Sequence, residues 1–120
     1  MKKTIIMTLC LLMAGLLFAE GTPGLEFRSI DNNTAYDVRI GTATATHIDI
    51  PATYNERPVT TIAINGFQNY TSMTSITIPN SITSIGSGAF GGCTGLTTID
   101  IPSSVTSIGN NAFQICRYTI

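Results

Sequence analysis

The chain has 120 residues, seven acidic and six basic side chains, one histidine and a formal charge of −1, which leaves room for one small domain at most. Charged residues make up only 11% of it, and the arginines are scattered. No basic stripe suits nucleic acid and no polybasic segment suits an anionic membrane surface, so both are excluded as partners.

The N-terminus opens with Lys2 and Lys3, followed by an apolar run from Ile5 to Phe18 and then by Ala19-Glu20-Gly21-Thr22-Pro23-Gly24. A basic start, a short apolar stretch and a small residue before a polar, turn-prone segment describe a secretory signal peptide, residues 1–19, cleaved near Ala19. The run is shorter than the roughly 20 residues a membrane span needs, so no membrane insertion is expected after cleavage. Cleavage leaves Arg28, Arg39, Arg57 and Arg117 against seven acidic residues and removes Cys10. The expected location is secreted or cell surface.

Residues 20–44 form the next unit. Leu25–Ile30 and Ala35–Ile40 alternate apolar and polar residues around Asp31-Asn32-Asn33-Thr34, which predicts a β-hairpin with a turn-rich loop. It precedes a periodic array and is expected to cap it. Gly41 to Thr46 is small and Thr-rich and acts as a linker.

The array, 45–120, is built on a 23-residue unit. Residues 73–95, MTSITIPNSITSIGSGAFGGCTG, and 96–118, LTTIDIPSSVTSIGNNAFQICRY, are identical at 12 of 23 positions. A fixed period in this range points to a solenoid whose units stack on one another. Ile76-Thr77-Ile78-Pro79 and Ile99-Asp100-Ile101-Pro102 predict half-buried strands ended by proline, which cannot donate to a sheet. A second extended leg follows through Ile82/Ile85 and Val105/Ile108. A short helical or 3₁₀ turn is then expected at Ala89-Phe90 and Ala112-Phe113, with a cysteine three residues after each phenylalanine. Residues 45–72 are a degenerate copy: Ile48, Ile50 and Pro51 match the strand, Val59 and Ile62 the second leg, and Phe67 the phenylalanine. Tyr70 takes the cysteine position, and five extra residues around Tyr54-Asn55-Glu56-Arg57-Pro58 are expected to bulge as a surface loop without shifting the register. Beyond Cys116 no polar cap is visible, so the C-terminal edge is expected to be open to self-association.

The string Ile-x-Ile-Pro-x-Ser-Val/Ile-Thr-Ser-Ile-Gly-x-x-Ala-Phe-x-x-Cys strongly resembles the BspA-type leucine-rich repeat, a class found in secreted and surface proteins of host-associated microbes. The resemblance is specific over 73–118 and looser over 45–72. It implies a right-handed leucine-rich-repeat solenoid of about three coils with parallel strands, and a role in adhesion or protein–protein interaction with an extracellular protein or glycan of the host matrix or of other cells. A structural module that self-assembles without external ligand is the alternative. The family defines no catalytic residues, and none is assigned here; no cofactor-binding or metal-ligating residue is assigned either.

With Ile76 and Ile78 inward, their neighbours point outward. Stacking the copies gives two exposed columns, His47/Ser75/Thr98 and Asp49/Thr77/Asp100, which form the candidate ligand face, with Tyr54 and Arg57 of the insertion as flanking anchors. One histidine and two carboxylates in separate columns are thin support for a metal. Abundant serines without an activating base are equally thin support for hydrolysis. Cys93 and Cys116 share one column; a disulfide is possible in an exported protein, but a column of buried free thiols suits a solenoid interior better. The sequons at Asn32 and Asn69 are read as ordinary turns.

Overall fold

The computed structural model describes residues 21–116; the signal-peptide reading and the tail from Arg117 lie outside them. Eight strands are present among the described residues: β1 (Glu26–Ile30), β2 (Ala35–Arg39), β3 (His47–Asp49), β4 (Thr53–Tyr54), β5 (Arg57–Ile62), β6 (Ser75–Thr77), β7 (Ser84–Ile85) and β8 (Ser107–Ile108). They form two sheets. One runs β1-β2-β5-β7-β8 with β4 attached to β5; the other is the pair β3-β6.

The hairpin lies where alternation predicts it, with β1 and β2 antiparallel and Ile30 opposite Ala35. Its loop is a left-handed run, Asp31, Asn32 and Asn33 at φ 52°, 57° and 68°, a conformation that Asp and Asn tolerate better than other side chains. The Thr34 backbone N–H and hydroxyl close it on the carbonyl of Asp31, at 3.1 and 2.7 Å. β2 then pairs in parallel with β5, so the hairpin extends the second-leg sheet laterally. The Thr22 N–H meanwhile donates to the Asp49 carbonyl at 2.9 Å, setting the chain before the hairpin alongside β3.

Each copy of the repeat contributes a first leg, a proline corner, a second leg and a turn segment. The second legs align in parallel, Ile62 beside Ile85 beside Ile108, and Thr61 beside Ser84 beside Ser107. Their inward residues make the core with the first legs and the turns: Ile48, Ile50, Val59, Ile62, Met73, Ile82, Ile85 and Leu96 are essentially fully buried. Burial of each such side chain is worth about 1.5–3 kcal/mol, and here it repeats down columns. The phenylalanine column is a stack: Phe67 and Phe90 lie 5.6 Å apart at 7°, Phe90 and Phe113 5.3 Å apart at 8°.

The turn segments are not helical, contrary to the sequence expectation. Their N–H groups alternate. Gly66, Gln68 and Tyr70 donate three residues back within the copy, while Asn65, Phe67 and Asn69 donate to Ser87, Ala89 and Gly91 of the next copy. The middle copy repeats the scheme, with Gly88, Phe90 and Gly92 bonding to Asn110, Ala112 and Gln114. A 3₁₀-helix needs consecutive donors pointing inward along the copy, and stacking claims every second one. The alternation requires two left-handed residues per copy: Asn65 and Asn69, Gly88 and Gly92, Asn111 and Ile115.

Two further expectations are corrected. The five-residue insertion is a β-hairpin rather than a loop: β4 and β5 pair antiparallel across Asn55-Glu56, both left-handed at φ 49° and 66°, the pattern of a two-residue hairpin turn. The first-leg register is kept across it, as expected, with His47 opposite Ser75. The last copy's first leg, Thr98 to Asp100, is not a strand. That copy is tied to the middle one through Thr106 N to Thr83 O at 2.9 Å, Gly109 N to Ile85 O at 2.8 Å and the turn bonds, and residues 98–100 have no ladder partner among the described residues.

Candidate functional site

The candidate face is built on β3 and β6, where alternation sends Ile48 and Ile76 into the core and their neighbours to the surface. The parallel register pairs His47 with Ser75 and Asp49 with Thr77, so two of the three rows predicted for each column are in place. His47, Asp49 and Thr77 are exposed and Ser75 is half-buried. Thr98 and Asp100 are exposed too but sit beyond the end of the sheet.

His47 holds the face together. Its Nδ1 lies 2.6 Å from Ser75 Oγ and its Nε2 3.1 Å from Thr77 Oγ1, so both ring nitrogens are engaged by the next copy. A neutral imidazole donates at one nitrogen and accepts at the other, and a hydroxyl can complement either. The ring therefore spans two alternate hydroxyls of β6 and fixes their direction. Asp49 is fixed from the opposite side, its N–H donating to Thr22 Oγ1 at 2.6 Å while its carboxylate stays in solvent. The result is a small face carrying one carboxylate beside an ordered row of hydroxyls.

Tyr54 and Arg57 do not serve alike. Arg57 is exposed at the tip of the β4–β5 hairpin. Tyr54, expected to flank the face, is half-buried and packed: it stacks on Phe27 at 4.1 Å and 13° and meets Tyr36 edge-on at 5.1 Å. The insertion is thereby pinned to the N-terminal hairpin by three aromatic rings. Extra residues in a repeat predict a loop; the Asn55-Glu56 turn together with contacts to Phe27 and Tyr36, distant in sequence, holds them as strands.

Sequence reasoning also missed a charge cluster. Asp37 points away from the core yet is only 6% exposed, because Arg28 and Arg39 cover it. Arg28 and Arg39 donate to its Oδ2 at 3.4 and 3.3 Å. Asp37 heads an outward column that continues through Thr61, Ser84 and Ser107 along a groove of about 400 Å³. The alternation of β2 placed Asp37 on the outer face, but nothing local signals that two arginines close over it.

Cys93 and Cys116 are free thiols. Each S–H donates to the phenylalanine carbonyl of the preceding copy, Cys93 to Phe67 at 3.0 Å and Cys116 to Phe90 at 2.9 Å. Burial pushes the Cys93 thiol up to about 11 and raises that of Cys116 as well. Tyr70, at the same column of the first copy, is longer; its hydroxyl donates to the Ala45 carbonyl at 2.5 Å instead. The column is a structural fixture, with no thiolate available for chemistry at neutral pH.

Comparison with known proteins agrees with this architecture. The sequence profile described as BspA type Leucine rich repeat region (6 copies) matches residues 41–120. A leucine-rich repeat protein of Treponema pallidum superposes with a TM-score of 0.75 at 22% identity, over 81% of this chain and 47% of that one. A leucine-rich cell surface protein of Faecalibacterium prausnitzii gives 0.70 at 34% identity, over 81% of this chain and 28% of that one. A leucine-rich repeat protein of Bacteroides capillosus gives 0.67 at 27% identity, over 78% and 74%. The chain thus spans less than half the length of the first two. A search of curated proteins found no match.

Proposed function

From the premise that the chain belongs to the BspA-type leucine-rich repeat family, we propose that it is an exported surface or secreted protein that binds an extracellular protein or glycan through the β3–β6 face. The observation that carries this is the in-register row of His47, Ser75 and Thr77 with Asp49 beside it, an exposed polar surface whose side chains are already oriented before any partner arrives. Preorganised groups lose little freedom on binding, which favours affinity. Export rests on the N-terminal segment 1–19 and on likeness to the F. prausnitzii cell surface protein. Thr98, Asp100 and Arg57 would form the margin of the face.

Two measurements test this. Antibody labelling of intact cells should detect the protein; labelling only after lysis would sink the surface assignment. For the face itself, replacing Asp49 and Asp100 with alanine should weaken saturable binding to cells or to immobilised matrix proteins by about tenfold while the melting temperature holds, since neither carboxylate is buried. Unchanged affinity would refute it.

A second reading, self-assembly, draws support from the last copy, where Ile101, Ile108 and Ile115 are 37%, 50% and 70% exposed. Sedimentation over rising concentration distinguishes the two: growing oligomers favour assembly, and a monomer throughout removes it.

A further inference from the structure

We propose that the turn side of the molecule carries a second binding site, for an uncharged oligosaccharide, in a trough created where the middle copy has glycine and both its neighbours have carboxamides. Two repeat columns make it. One reads Asn65, Gly88, Asn111 and the other Gln68, Gly91, Gln114. The copies are locked side by side by the bonds from Asn65 N to Ser87 O at 2.9 Å and Gly88 N to Asn110 O at 3.0 Å, so the columns stand in line. Hydrogen-bonded neighbours lie about 4.8 Å apart, which puts the backbones of the two flanking copies about 10 Å apart. The Asn65 carboxamide leans over Gly88 from one side, its Oδ1 filling the place a Cβ would take there, and Gly91, met only by backbone atoms, is the open floor.

The trough has a volume of about 380 Å³, within the range of small-ligand sites. Gly91 is buried although it has no side chain, whereas Asn65, Gln68, Asn111 and Gln114 are exposed along the rims. None of the four carboxamides makes a side-chain hydrogen bond among the described residues, so their NH₂ groups, and the carbonyl oxygens of Gln68, Asn111 and Gln114, are available to a ligand, while Asn65 Oδ1 rests on Gly88.

The chemistry selects the ligand. No lining residue is charged, so neither a phosphate nor a carboxylate gains an ion pair. The floor holds no apolar or aromatic pocket to seat the anchor residue that dominates a protein interface. A carboxamide offers a donor and an acceptor side by side, and a sugar hydroxyl is both at once, so a ligand dense in hydroxyls is satisfied along both rims. Ile64, 66% exposed at one end, offers the apolar patch that the C–H face of a sugar ring covers.

The test is an NMR titration of the ¹⁵N-labelled protein with linear neutral oligosaccharides of glucose, galactose, xylose and N-acetylglucosamine, and with an extended Gly/Ser peptide as comparison. At least one sugar should move the side-chain NH₂ signals of Asn65, Gln68, Asn111 and Gln114 and the backbone signals of Gly88 and Gly91, saturating with Kd of about 1 mM or tighter. Gly91→Gln gives the floor the side chain its two neighbours carry. Gly91 lies outside the left-handed region, and the nearest atom to an added Cβ is the Gly88 carbonyl oxygen at 3.4 Å, so the fold and melting temperature should hold. Binding should fall at least about tenfold in that variant, and about two- to tenfold in Gln68→Ala or Gln114→Ala, the range for loss of one hydrogen bond. Asp49→Ala with Asp100→Ala should leave this binding unchanged, separating the trough from the strand face. The proposal is overturned if no sugar gives saturable shifts, if the shifts survive Gly91→Gln, if they centre on His47, or if only the peptide produces them.

Discussion

The middle and last copies share half their residues outright, yet equivalent side chains differ sharply in burial. Ile85 is 1% exposed and its counterpart Ile108 50%; Ile78 is 9% exposed and Ile101 37%. Phe90 is fully buried between two rings, while Phe113 is half-buried. In a stacked repeat, then, a residue's worth is set by its neighbours in the adjoining copies as much as by its place in the motif. Identical motif positions are energetically different positions.

Paired substitutions can break that statement. The largest contrast is expected for the aromatic column: Phe90→Ala should cost about 3–5 kcal/mol in denaturant unfolding, and Phe113→Ala about half as much or less. Equal costs would mean that the stack is not what holds the copies together. Next come Ile85→Ala at about 2–5 kcal/mol and Ile108→Ala at below about 1 kcal/mol, read by the same unfolding curves.

A smaller effect of opposite sign isolates backbone strain. Ile115 is β-branched, left-handed at φ 67° and 70% exposed, where the other copies place Asn69 and Gly92. Such a residue is held at a cost of about 1–3 kcal/mol. Ile115→Asn should therefore raise stability by about 1 kcal/mol; a lower melting point would show that the side chain makes a contact worth more than its strain.

The smallest effect separates the thiols. At pH 8 without denaturant, Cys116, half-buried, should be alkylated before Cys93, which is fully buried. Mass spectrometry showing the reverse order would put the greater protection in the last copy. The folded Cys93 thiol lies above its unfolded value, about 11 against 9.0. Its contribution to stability is therefore whole below about pH 9 and is lost as pH rises toward 11, so alkaline unfolding should begin in that window and shift in Cys93→Ala.

The repeat made most of this architecture legible. Period-two alternation located β3 and β6 and their outward rows, and the offset between copies predicted the pairing of Ile62 with Ile85. The losses share a cause: each depends on contacts between segments that no local pattern links. Tyr54 sits in a hairpin because Phe27 and Tyr36 receive it, Asp37 is buried because two arginines fold over it, and Thr98 to Asp100 have no partner strand among the described residues. The alternation of turn donors was hidden for the same reason, since Ala-Phe motifs suit a short helix until the next copy competes for every other N–H. The cavity at Gly88 and Gly91 was not read from the sequence, because a glycine between carboxamides opens space only once the copies stack in register.

That alternation of donors has a bearing on how the molecule breathes. A copy that lifts away from its neighbour surrenders the bonds of Asn65, Phe67 and Asn69 but keeps those of Gly66, Gln68 and Tyr70. Successive amides along one turn then belong to two clocks, one set by the parting of neighbours and the other by the collapse of the turn itself. Solvent deuterium would enter in a zigzag, residue by residue, and the step between adjacent sites would gauge how firmly one repeat grips the next.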